Sequence, residues 1–335
     1  MKNSHQLINE LSGMTESMKR EYMNFLLPEK DIIEVLKIDA DLLFYVDENR
    51  RTHQMYMTAL ETCGTAIQYF PFEMITAEIA NKAVEKTGWA LVYIPDKLKT
   101  PEMCQKALKN NLYSDFDREE IIRYVPFPSV CLEYLKNHQQ NDCDPFVLFQ
   151  YMKRDIITPE IANLAFKLDS YCFELVPDRL KTPEMCIEAV ENNYFALKHV
   201  PYVLKTPEMC RIALNNAMTI MSFPYRSDHK LIAFVPFPEV CMEHLKKDKV
   251  LAFSVFENIQ KDIITPEMAK LAVSRNLDCF SIVPDRLKTP EMCADVVEKR
   301  SDNIKFVPEH MKTSLEKKQT EKKSNQPVKR KGIRF

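Results

Sequence analysis

Residues 182–205 read TPEMCIEAVENNYFALKHVPYVLK, and this stretch decides the fold. Thr182 is a helix N-cap, Pro183 suits the first helical position, and Glu184 faces the positive end of the helix dipole. Met185, Cys186, Ala189 and Val190 follow at the spacing of one apolar helix face. Asn193 marks a helix end. Ala196, Leu197 and Val200 make a second, shorter apolar cluster, which Pro201 stops. The pattern predicts a helix of about three turns, a shorter second helix and a proline-set turn.

The pattern restarts at Thr206, and related units open at Thr52, Thr76, Thr100, Thr158, Thr265 and Thr289. Two variants, VPFPSVC and VPFPEVC, open at Phe127 and Phe237. That makes about ten units of about 24 residues, preceded by a degenerate one within 28–51. One unit cannot bury its apolar face alone, whereas stacked units share a continuous core. Every four units form a superrepeat of about 107 residues, with matched inserts at 111–122 and 216–230 and at 137–154 and 246–261. The expected fold is all-α: an α-solenoid of ten such helical repeats nested in those superrepeats. The expected organisation is an N-terminal helical cap with the degenerate repeat over 1–51, the repeat array over 52–313, and a disordered basic tail over 314–335.

Composition supports this reading. Gly occurs only four times against 20 Pro, which argues against phosphate-cradling loops and against hairpin-rich β folds. The net charge of −2 hides an asymmetry. Residues 312–335 carry nine Lys or Arg and two Glu, so the preceding body is acidic and the tail is a basic arm. No apolar run approaches the roughly 18 residues of a membrane span. The N-terminal residues lack a signal-peptide core, so no membrane association and a cytoplasmic location are expected.

The string VPDRLKTPEMC, followed by AVENN and ALKHVP, resembles the tandem helical repeats of unknown function found in many proteins of host-associated bacteria. Repeats of that family commonly read VP-x-x-L-K-T-x-E-x-C. The resemblance covers roughly 52–313 and implies a bacterial repeat protein, with no catalytic residue to carry over. It leaves export to a host cell open. The VPFP units, the inserts and the tail depart from the plain repeat.

Candidate chemistry is sparse. Six of ten cysteines, Cys104, Cys131, Cys186, Cys210, Cys241 and Cys293, share one repeat position that holds alanine in sister units, the mark of a small apolar core slot. Cys172 and Cys279 alternate with alanine at another, while Cys63 and Cys143 lie off both positions and are the reactive candidates. No CxxC pair or HExxH motif occurs, so no catalytic residue, metal site or cofactor is expected. The recurrent first-turn glutamates, such as Glu78, Glu184 and Glu291, form a solvated row or attract a basic partner.

Two places are left for function. The inserts hold Tyr113, Phe116, Phe146, Phe149, Tyr151, Phe223, Tyr225, Phe253 and Phe256, which either bind a partner or fill the core. The tail holds Lys329, Arg330, Lys331 and Arg334, suited to phosphates or an acidic partner, or else only solvated. The expected function is a non-enzymatic repeat scaffold mediating protein–protein interaction. The alternative is a nucleic-acid-associated accessory protein contacting phosphates through the basic tail.

Overall fold

A computed structural model of the chain describes residues 3–110, 119–139, 143–220, 228–247, 251–313 and 315. Among these residues every regular element is helical, and no helix is long and apolar enough to cross a membrane. The chain divides into two compact bodies, Met1–Leu180 and Lys181–Phe335, so a boundary falls inside the array expected over 52–313. A stack in which each repeat touches only its neighbours has no single centre, so its compact bodies need not follow sequence boundaries.

A plain repeat has three segments. In the first body His53–Thr62, Gly64–Tyr69 and Phe72–Met74 make one repeat, and Ala77–Lys86, Gly88–Tyr93 and Asp96–Leu98 the next. In the second body Pro183–Asn192, Tyr194–His199 and Tyr202–Leu204 follow the same order. The first segment is an α-helix, and the other two are 3-10 helices. The shorter second helix is thus a 3-10 turn in plain repeats. Only eight residues separate the helix end from the proline, 193–200 in the repeat that opens at Thr182, and a 3-10 helix closes its bonds in three-residue steps. In the VPFP repeats the inserts lengthen this region, and full α-helices form there, Pro145–Tyr151 and Ala252–Asn258. Residues 28–51 show the plain order, with Glu29–Leu36, Ala40–Tyr45 and Glu48–Arg50.

The starts behave as the threonines dictate. Thr52, Thr76, Thr100, Thr158, Thr182, Thr206, Thr265 and Thr289 each accept from the amide three residues on, at 3.1–3.4 Å. Phe127 and Phe237 lack such a bond. The residue at the helix end has a second task that its position alone did not announce. Asp169, Asn193 and Asn276 accept from the amides of Tyr171, Phe195 and Asp278, so each also caps the 3-10 turn that follows.

Two recurrent contacts join neighbouring repeats, the first within the first body and the second within each body. In the first body Gly64 and Gly88 lie so near the next helix that a Cβ there would meet Ala83 O at 2.0 Å and Ala107 O at 2.2 Å. The second contact is a basic side chain just before the capping threonine. It reaches forward to the last carbonyl of the next repeat's 3-10 turn. Arg51 donates to Tyr69 O and Lys99 to Tyr124 O in the first body. Lys181, Lys205 and Lys288 donate to His199 O, Phe234 O and Phe306 O in the second, at 2.6–2.7 Å. Lys99, Lys181 and Lys288 are buried, so the lysine of the LKT string is a staple between repeats rather than a solvated charge.

Candidate functional site

The buried columns account for most of the side chains that invite chemistry. All six cysteines of the shared slot are buried, as are Cys172 and Cys279. Burial pushes the thiols of Cys104, Cys131, Cys172 and Cys241 up to about 12, and those of Cys210 and Cys279 up to about 11. A thiol held neutral is a poor nucleophile. Cys143 is buried as well, with its Sγ 3.5 Å from the Tyr134 hydroxyl, which removes it as an accessible nucleophile. Cys63 alone among the ten is half-exposed, with its Sγ 3.0 Å from the Thr65 hydroxyl. The seven first-turn glutamates Glu78, Glu102, Glu160, Glu184, Glu208, Glu267 and Glu291 are all exposed, as helix starts require.

The insert aromatics divide. Phe149 and Phe256 are only 1% and 2% exposed, so they are core side chains and leave the candidate binding set. They fall on the inward face of the added α-helices, where a large ring fills the space that a 3-10 turn spans elsewhere. Phe146, Tyr151 and Phe253 are half-buried, and the Arg123 guanidinium stands 5.2 Å from the Tyr151 ring centre. Tyr113, Phe116, Phe223 and Tyr225 lie outside the described residues, as do Lys329, Arg330, Lys331 and Arg334.

Exposed apolar side chains occur on α- and π-helical segments, such as Phe25, Leu26 and Ile187, and recur on the 3-10 turns and the linkers after them. In the first body the latter include Phe44, Phe72, Tyr93 and Tyr171; in the second, Phe195, Tyr202, Val203 and Phe234. Where a lysine precedes the capping threonine, the residue before the valine–proline pair presents its carbonyl to it, as Tyr124, His199, Phe234 and Phe306 do. In the first body this column reads Tyr45, Tyr69, Tyr93, Tyr124 and then Leu175. In the second body it includes His199, Phe234, Ile282 and Phe306.

The first-body edge contains a half-open cleft of about 420 Å³, lined by Phe44, Tyr56, Tyr69 and Phe70 with Glu48, Arg51, Gln68 and Pro71. Phe44 and Tyr69 lie 6.1 Å apart at 45°, and Tyr56 packs on Phe70 at 4.9 Å. The Tyr69 hydroxyl donates to Asp41 Oδ1 at 3.2 Å. Partial burial, together with that carboxylate, drives the Tyr69 phenol well above its ordinary range, so it stays a donor. This edge was missed in the sequence because its aromatics are spaced one repeat apart and look unremarkable singly. The signal available was the fourfold tyrosine before the V/I/F–P/D pair.

Two tandem stretches, residues 77–138 and 158–225, match the model of a domain of unknown function (DUF4116). Each match takes in three successive repeats, a smaller share than the 52–313 expected from the resemblance. No curated protein matches the chain. Over those two stretches the chain is similar to a tandem helical domain of unknown function.

Proposed function

We propose that the chain is a non-enzymatic repeat scaffold that binds a protein partner along its aromatic edge. One observation carries this reading: exposed aromatic and aliphatic side chains recur on the 3-10 turns and linkers, such as Tyr171 at 65% and Tyr202 at 72% exposure. Contiguous exposed apolar surface marks interaction sites, and tyrosine gives large contact area at low conformational cost. Nine cysteines and the first-turn glutamates already have structural duties, which supports a non-catalytic role.

The test replaces Tyr93, Tyr171 and Tyr202 one at a time with a photocrosslinking phenylalanine analogue in the full chain, expressed in its native cells. The expected result is a discrete crosslinked partner common to edge positions and absent when the analogue replaces Glu188 on the helix face. Equal crosslinking from both faces, or none from the edge, would sink the scaffold reading.

A further inference from the structure

We propose that the tyrosine column of the first body binds a proline-rich segment of a partner protein in the polyproline II conformation, one proline to each repeat. This rests on the scaffold reading and names the chemistry of its partner.

Four successive repeats of the first body place a tyrosine at one position, Tyr45, Tyr69, Tyr93 and Tyr124. Tyr93 is 36% exposed and the other three are half-buried, so each offers part of a ring to the edge. Further rings flank the column across the junctions between repeats. Phe44 lies 6.1 Å from Tyr69, and Trp89 meets Tyr124 edge-on at 6.3 Å. The same stretch carries Gly64 and Gly88, where the next helix comes too close for any side chain. Among its described residues the second body has no glycine at the matching turns and no tyrosine in the matching column. The close stack and the tyrosine column therefore occur together.

The period of the column selects the ligand. Packed helices lie about 8–10 Å apart, which sets the step from one repeat to the next. A polyproline II helix returns to the same face every three residues, a rise of about 9 Å. Prolines three apart thus meet successive repeats in step. An α-helix repeats its face about every 5.4 Å and a strand about every 7 Å, out of step with the stack.

The chemistry of the cleft fits a neutral chain. Its lining carries one carboxylate, Glu48, and one guanidinium, Arg51, which balance. Arg51 is committed to Val46 O at 2.8 Å and Tyr69 O at 3.2 Å. The Arg20 guanidinium already stands 4.7 Å from the Phe44 ring centre, and Lys19 Nζ 5.2 Å from that of Tyr45. Phe44 is still 40% exposed, so it keeps apolar ring surface for a proline. Gln68, exposed on the lining, offers an amide donor to the carbonyls that polyproline II leaves without internal partners. Such a chain is preformed and loses little conformational entropy in an aromatic groove.

The probe is a fluorescein-labelled peptide of repeated Pro-Ala-Ala triplets, titrated against the full chain by anisotropy. Its counterpart has the same residues with the prolines two apart, which turns successive prolines to different faces. Saturable binding of the triplet peptide is expected, at least about fivefold tighter than that of the counterpart. Phe44→Ala with Tyr93→Ala is expected to weaken it at least about fivefold. Both side chains are exposed, so their truncation leaves the core intact, which circular dichroism checks. Tyr202→Ala, at a more exposed tyrosine outside the column, is expected to change affinity by less than about twofold. Raising salt to about 0.5 M is expected to leave affinity within about twofold, because no ion pair forms.

Equal binding of the two peptides overturns the proposal, as does an unchanged affinity of the column variant or the absence of saturable binding. An equal loss from Tyr202→Ala means general attraction to exposed rings and overturns it too. A steep fall with salt assigns the binding to charge and likewise overturns it. The titration needs no partner, so its failure leaves the crosslinking result standing, and absent crosslinks leave the titration standing.

Discussion

At the position that opens the 3-10 turn, the first body places Gly64 and Gly88 beside Ala40 and Ser170, whereas the second places Tyr194, Leu277 and Ser301 and no glycine among the described turns. The register is the same, but the distance to the neighbouring helix is not forced to be. Where glycine stands, the next helix's carbonyl comes within what would be 2.0–2.2 Å of a side chain. Where a larger residue stands, the stack has room for it. The same two bodies share the lysine staple and the threonine cap. The difference teaches that the repeat separates its tasks: caps and staples are common hardware, while packing distance and edge side chains are set repeat by repeat.

The comparison breaks most sharply at the glycines. Gly88→Val is expected to destabilise the chain by about 3 kcal/mol, because the obstructing atom is backbone and cannot rotate away. Ser301→Val, at the matching and exposed position, should stay within about 0.5 kcal/mol in urea unfolding. Similar losses at both sites would mean that packing distance does not distinguish the bodies.

The staple should cost the same in both. Lys99→Met and Lys288→Met keep the aliphatic stem but leave Tyr124 O and Phe306 O without their donor. Each is expected to lose about 1–3 kcal/mol, read from the urea midpoint. A loss in one body only would show that the staple is not common hardware.

The buried thiols predict alkaline sensitivity. Their folded values are raised, so the stability from keeping them neutral is complete below the unfolded thiol range and is lost as pH rises towards about 12. Each such group contributes a slope of about 1.4 kcal/mol per pH unit above about pH 9. Cys131→Ala in the first body and Cys241→Ala in the second should each flatten the fall of stability between pH 9 and 11 by that slope. Unchanged slopes would mean that the thiols meet water in the native state.

The smallest effect belongs to the caps. Thr100→Ala and Thr265→Ala are each expected to cost about 1 kcal/mol. Thr in place of Phe237, where no side-chain cap exists, should recover up to that amount unless the phenylalanine packs against its neighbours. Thermal unfolding of the three variants makes the comparison.

Sequence alone determined the helical repeat, because its signals are local. A threonine caps the amide three residues on, a proline forbids continued helix, and apolar residues at helical spacing must face inward whatever the neighbours are. The small-core reading of the shared cysteine slot followed from the alternation of Cys with Ala in one column. What the sequence concealed depends on residues brought together from different repeats. The lysine before Thr100, Thr182, Thr206 and Thr289 looked like a linker charge, and only the fold shows it reaching the carbonyl 18 to 29 residues on. Phe149 and Phe256 stood open between a binding surface and the core, and the packing of the added α-helices puts them in the core. The aromatic cleft joins Phe44 and Glu48 to Tyr69 and Phe70, one repeat apart. Capping and periodicity act within a few residues of backbone, whereas burial and site geometry are set by the stacking of repeats, which no single repeat encodes.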